Sequence, residues 1–66
     1  MYRAVVVIKN AYGTSELGRH ETKTCKTFGG AARAAEKLSS NVEHLYPWYQ
    51  TVEYEIYENG AFLETI

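Results

Sequence analysis

"TVEYEIYENGAFLETI", residues 51–66, decides the fold, because two runs of alternating side chains flank the dipeptide Asn59-Gly60. Such a dipeptide is typical of a two-residue type I′ turn, in which both residues have positive φ. We therefore predict a β-hairpin with a fixed register. The opposed pairs that this register predicts are Glu58 with Ala61, Ile56 with Leu63, Tyr54 with Thr65, and Glu55 with Glu64. The two glutamates would repel each other unless a cation from the neighbouring strand, Arg3 or Lys9, lies close to them.

Side chains alternate between the two faces of a strand, so the register also predicts which residues share a face. The first face of the hairpin would hold Val52, Tyr54, Ile56 and Leu63. The second face would hold Glu53, Glu55, Tyr57, Phe62, Glu64 and Ile66.

Two further strands are predicted in the first part of the chain. "YRAVVVIK", residues 2–9, is rich in β-branched residues and typical of a central strand. "NAYGTSELG", residues 10–18, contains turn-forming residues and predicts a loop. "RHETKTCKT", residues 19–27, alternates and predicts a polar edge strand, whose lysines would discourage pairing with another edge.

A helix is predicted from the segment that follows, "TFGGAARAAEKLSSN", residues 27–41. Thr27 can cap its first turn. The apolar residues at helical spacing are Phe28, Ala31, Ala35, Leu38 and Val42. Gly29-Gly30 lacks the Lys-Ser or Lys-Thr of a phosphate-binding P-loop and the G-x-G-x-x-G of a dinucleotide site. We therefore interpret the segment as a helix that packs closely on a sheet.

These elements predict one domain, residues 1–66, of the α+β class with the order β-β-α-β-β. The simplest arrangement is a four-stranded antiparallel sheet with strand order 2-1-3-4 and the helix on one face.

Composition indicates a cytosolic protein, because Cys25 is the only cysteine and cannot form an intrachain disulfide. No apolar run reaches the length of about 20 residues that a membrane span needs. The net charge is −1, but all seven cations precede residue 38, whereas five of the eight glutamates follow it. This asymmetry indicates either a bipolar binding surface or two halves that neutralise each other within one sheet.

Catalytic chemistry has few candidate residues, namely His20, Cys25 and His44. His20 and Cys25 would point to opposite faces of a regular strand, and no spacing typical of a metal site is present. We therefore expect no enzyme activity, no metal and no cofactor.

Three aromatic residues, Tyr46, Trp48 and Tyr49, lie around Pro47 in the connector after the helix. They either close the core beneath the helix end or form a platform for a base or a partner side chain.

The sheet face opposite the helix is the candidate partner surface, because parity gives it an apolar set. The residues of this set are Val5, Val7, Tyr57, Phe62 and Ile66. We expect a second copy or a host protein to cover them, with Phe62 and Tyr57 as anchors; the alternative is that the aromatic connector folds over this face.

A basic edge is predicted from four cations that could attract an acidic surface or RNA. These residues are Arg19, Lys23, Lys26 and Arg33. With Lys37 and the tyrosines they could form a small nucleic-acid-binding module, whose binding would depend steeply on salt. A regulatory homodimer that binds no nucleic acid is the third hypothesis.

The order of elements, the opening "YRAVVVIKN", the helix "GGAARAAEKLSSN" and the closing hairpin resemble those of small phage-encoded inhibitors of type I CRISPR–Cas surveillance complexes. The resemblance covers most of the chain as a pattern. It implies a protein in the cytoplasm of the bacterial host that blocks a protein–RNA complex by occupying its surface. In this family basic and aromatic surface residues commonly make the contacts, and direct contact with nucleic acid stays open here.

Overall fold

The computed structural model describes residues 1–46 and 50–66. Its elements are β1 (Tyr2–Asn10), β2 (Glu16–Glu21), α1 (Phe28–Val42), a 3₁₀ turn (Glu43–Leu45), β3 (Gln50–Glu58) and β4 (Ala61–Thr65). The four strands form one antiparallel sheet in the order β2-β1-β3-β4, with one helix. The predicted α+β class, element order and strand order are therefore confirmed.

The core is centred on β1, in which five consecutive residues, Ala4 to Ile8, are buried. β1 pairs along its whole length with β3, from Tyr2 opposite Glu58 to Asn10 opposite Gln50. On the helix side, Ala4, Val6 and Ile8 pack with Ile56 of β3 and with two alanines of α1. The β-branched run at the start of the sequence is thus the central strand that it predicts.

Helix α1 begins at the predicted cap, because the Thr27 hydroxyl accepts a hydrogen bond of 3.0 Å from the Gly30 N–H. Its buried stripe consists of Ala31, Ala35 and Ser39, whose small side chains let the helix lie close to the sheet. A Cβ at Gly30 would lie 3.0 Å from the Thr27 hydroxyl oxygen, so this glycine leaves room for the cap itself.

The second strand lies earlier in the sequence than predicted: it spans Glu16–Glu21 instead of residues 19–27. The Asn10 side chain closes a tight loop, because its Oδ1 accepts a hydrogen bond from the Thr14 N–H. The chain therefore reverses direction early, and β2 can begin at Glu16. At Thr22 the hydroxyl, in place of a backbone carbonyl, accepts from the Ala4 N–H. The chain then leaves the ladder, and before the helix begins Cys25 forms an isolated bridge to Tyr2.

The Asn59-Gly60 turn has the predicted backbone, with φ of 50° at Asn59 and 88° at Gly60. Glu58 faces Ala61 and Tyr57 faces Phe62, as predicted, but the register beyond them is wrong, because β4 carries a bulge with one extra residue. The observed pairs beyond the bulge are Ile56 with Glu64 and Glu55 with Thr65. The expected Glu55–Glu64 repulsion is therefore absent.

Replacing Gly60 by Val should lower the free energy of unfolding by roughly 1–3 kcal/mol, because a β-branched residue is strained at positive φ. A Cβ at Gly60 would meet nothing within 4 Å, so the loss reports chiefly backbone strain. Urea denaturation measures it. Gly29→Ala is the control: Gly29 lies on the exposed side of α1, and alanine there should stabilise by up to about 1 kcal/mol. Equal unfolding midpoints for Gly60→Val and the parent would contradict the turn assignment.

Candidate protein-binding surface

The sheet face opposite the helix does not expose Val5 and Val7, which are only 4% and 0% accessible. Parity places both on this face as predicted, because Val5 lies opposite Glu55 and Val7 opposite Glu53. The predicted apolar patch is wrong for these two residues: they form a second, thin layer of core and are not open to a partner.

Long charged side chains from three strands cover the two valines, and we call this set the charged layer. Its members are Arg3, Lys9, Glu16, Arg19, Glu21, Glu53 and Glu55. Arg19 lies opposite Val7 on β2 and forms an ion pair with Glu55, which lies opposite Val5 on β3. This pair therefore crosses the central strand. Arg3 pairs with Glu21 at 3.3 Å, and Lys9 pairs with Glu53 at 3.2 Å.

The charged layer resolves part of the charge asymmetry in the sequence. Lys9 with Glu53 and Arg19 with Glu55 join a cation of the first half to a glutamate of the second half. Interleaving within one sheet was one of the two explanations considered, and it accounts for these cations. No bipolar surface is needed to explain them.

Tyr57 and Phe62 lie side by side where the charged layer ends, as the sequence predicts. Their rings meet edge to face with centroids 5.7 Å apart. The Arg3 guanidinium lies 5.7 Å from the centre of the Tyr57 ring, and the Tyr57 hydroxyl donates a 3.0 Å hydrogen bond to Glu55. Tyr57 is thus held in place by charged neighbours, whereas Phe62 is 57% exposed.

Residues 61–66, which we call the β4 edge, form the most exposed apolar segment of the sheet. β4 is an outer strand, with β3 as its neighbour on one side, and all of its residues are exposed. Leu63 is 45% and Ile66 is 48% exposed. The segment contains no lysine and no proline, the residues that commonly protect edge strands, and its only charged side chain is Glu64.

Ile66 does not lie on the face that the sequence predicts for it. Its backbone N–H and C=O bond to Tyr54, at 2.8 and 3.3 Å, so Ile66 shares the helix side of the sheet with Tyr54. The bulge is the cause, because one extra residue reverses the faces of all residues beyond it. Leu63, at the bulge, was assigned to the buried face and is instead a candidate contact residue. In the sequence, only the low charge of residues 61–66 could have indicated that Leu63 is a contact residue.

Tyr46 packs on the helix side of the sheet, against the core, as the first of the two alternatives predicts. Its hydroxyl lies 2.6 Å from Nε2 of His20, with which it forms a hydrogen bond. The ring lies directly over Gly18, where a Cβ would overlap the hydroxyl. Gly18 is therefore needed for this contact, which sequence reasoning missed. Trp48 and Tyr49 lie outside the described residues.

The predicted basic edge is divided by the structure. Arg19 belongs to the charged layer, where it also pairs with Glu16 at 2.9 Å. Lys23, Lys26 and Arg33 form no ion pair with any side chain in residues 1–46 and 50–66. These three cations lie on the exposed helix and on the segment that leads into it.

Residues with catalytic potential do not come together in a reactive arrangement. His20 bonds to Tyr46, whereas the Cys25 thiol donates to the Lys23 carbonyl at 3.5 Å. Within the described ranges no group of three His, Cys, Asp or Glu side chains could hold a metal ion. Nor does that part of the chain contain a helix long and apolar enough to cross a membrane.

No protein-family model matches this chain, and comparisons with curated proteins and with solved structures found no match either.

The hydrogen bond to Glu55 raises the pKa of Tyr57 above its ordinary value of about 10, with burial as a second cause. This bond therefore stabilises the fold below about pH 10, and its contribution is lost as the pH rises through the raised pKa. Glu55→Gln should lower the pKa of Tyr57 towards its ordinary value. The ultraviolet absorbance of tyrosinate measures the titration, and subtracting the curve of a Tyr57→Phe variant isolates Tyr57. Identical difference curves with and without Glu55 would contradict this assignment.

Proposed function

We propose that this chain is a non-enzymatic binding protein that docks on another protein through the β4 edge and the Tyr57–Phe62 pair. The observation that carries the proposal is the exposure of Phe62 and Leu63 on the outer strand β4 and of Ile66 directly after it. Apolar groups concentrated in this way on a monomeric chain commonly mark an interface. An open strand edge can in addition pair with a strand of the partner through backbone hydrogen bonds.

The target that we propose is a type I CRISPR–Cas surveillance complex in the cytoplasm of a bacterial host, with the chain acting as a phage-encoded inhibitor. The resemblance in sequence pattern supports this target. The β4 edge offers the kind of surface that such a mechanism needs, because an inhibitor of this type acts by occupying its target.

Phe62 is the residue to test, because aromatic anchors commonly contribute about 2 kcal/mol or more to an interface. Phe62→Asp should leave a folded chain, since the ring is more than half exposed, and should weaken binding by roughly 30-fold. Tyr12→Asp is the matched control: Tyr12 is 88% exposed in the loop between β1 and β2, away from the β4 edge. A third variant, Leu63→Lys, places a charge on the edge itself.

The assay uses bacteria with an active type I CRISPR–Cas system, challenged by a phage that the system targets. The parent chain and Tyr12→Asp should restore plaques and co-purify with the surveillance complex, whereas Phe62→Asp and Leu63→Lys should restore fewer plaques and retain less of the complex. Full inhibition by a folded Phe62→Asp would show that the interface lies elsewhere. Absence of inhibition by the parent would reject the CRISPR–Cas target, and pull-down of another protein that depends on Phe62 would still support the binding surface.

A nucleic-acid-binding module is the second candidate, favoured by the cations Lys23, Lys26 and Arg33, which are unpaired within the described residues. Binding to RNA would weaken steeply as salt is raised. The homodimer hypothesis is tested by the molecular mass in solution, which would depend on Phe62 if two copies meet at the β4 edge.

A further inference from the structure

A groove of about 370 Å³ lies between α1 and the end of β2, on the opposite side of the sheet from the charged layer. The residues that line it are Glu21, Thr22, Lys23, Ala34, Lys37, Leu38 and Asn41. Ala34 and Leu38 are half-buried, and Leu38 packs against the core, so they form an apolar floor. Lys23, Lys37 and Asn41 are exposed and form the rim.

The rim of this groove carries positive charge without a counter-charge. Lys23 and Lys37 form no ion pair with the described side chains, and Glu21, which also lines the groove, has its carboxylate in the charged layer, where Arg3 engages it. Residues 22–42, which contain α1 and its lead-in, hold four cations and a single glutamate, Glu36. The charged layer neutralises the other three cations of the protein, so the positive potential is concentrated on this side.

We propose that this groove binds an acidic segment of a partner protein. An aliphatic side chain of that segment packs on the floor formed by Ala34 and Leu38, and carboxylates on either side of it pair with Lys23 and Lys37. The floor favours a protein over a nucleic acid, because among residues 1–46 and 50–66 no aromatic side chain lines the groove to stack on a base. The groove borders β2, and the β4 edge is at the other end of the sheet. The two surfaces are therefore separate, and this inference does not depend on the proposed function.

Fluorescence anisotropy with a labelled synthetic peptide tests the groove. The probe has one leucine flanked by glutamates on both sides, and the comparison peptide has serine in place of leucine. Burying the leucine side chain should make the first peptide bind about tenfold more tightly. The double variant K23E/K37E should weaken the leucine peptide by about tenfold or more. Ala34→Gln, which fills the floor without changing charge, should weaken it as well.

The matched control is K26E/R33E, which makes the same change in charge at two exposed residues outside the groove. It should change the affinity for the leucine peptide less than threefold, and circular dichroism should show that both double variants are folded. A single-stranded RNA oligonucleotide is the third probe. Phe62→Asp should bind the leucine peptide as the parent does, so failure at the β4 edge and failure at the groove are distinguishable.

Four results would overturn the proposal: no binding of the leucine peptide, equal binding of the serine peptide, an equal loss in K26E/R33E, or tighter binding of the RNA. Either of the last two would show that the cations act as a general electrostatic surface.

Discussion

The structure depends on the burial of five consecutive residues of β1, Ala4 to Ile8. A strand that is apolar on both faces needs cover on both sides of the sheet, but this chain supplies one helix. Helix α1 covers one side of β1, and its alanines are small enough to let the helix lie close to the sheet. On the other side no second helix or sheet lies over Val5 and Val7 in the described residues, and side chains of the same sheet cover them.

The cover over Val5 and Val7 acts chiefly through its hydrocarbon. Exposed ion pairs contribute roughly 0–1 kcal/mol each, because water already solvates the charges. The stems of arginine, lysine and glutamate, in contrast, remove apolar surface from water while their charged ends remain solvated. Ion pairs such as Arg19–Glu55 mainly hold those stems across β1. A polar face therefore conceals a second layer of core, and the cations that take part in it are not available to a partner.

The sequence predicted the class, the order of the strands and the turn, because each rests on a local rule. Asn59-Gly60 requires positive φ, and Thr27 caps the helix directly. It did not predict the bulge in β4, since one extra residue leaves the local alternation unchanged and shows only in the pairing with β3. For the same reason Ile66 was placed on the wrong face. The position of β2 was missed because residues 19–27 alternate like a strand. In the structure the strand stops before Thr22, whose hydroxyl accepts the hydrogen bond from β1 in place of a backbone carbonyl.

Parity has a related limit, which explains why the candidate surface was only partly found. It states which face a side chain lies on, but not what lies over it. Val5 and Val7 lie on the predicted face but are covered. The side chains of Arg19 on β2 and Glu55 on β3 meet over β1, which lies between these two strands. Tyr57 and Phe62 were adjacent as predicted, because they lie next to the turn, before the bulge alters the register.

The β4 edge is exposed because both layers of cover end before they reach it. Helix α1 packs mainly on β1 and β3, and the charged layer draws its members from β1, β2 and β3. β4 therefore lies beyond the cover on both faces, with Phe62 on one side and Ile66 on the other. A protein of 66 residues buries too little surface to be more than marginally stable, so covering this strand would stabilise the whole sheet. Since β4 is held by β3 alone, a partner that pairs with its free edge would order the least protected strand as it binds, and affinity and stability would then rise together.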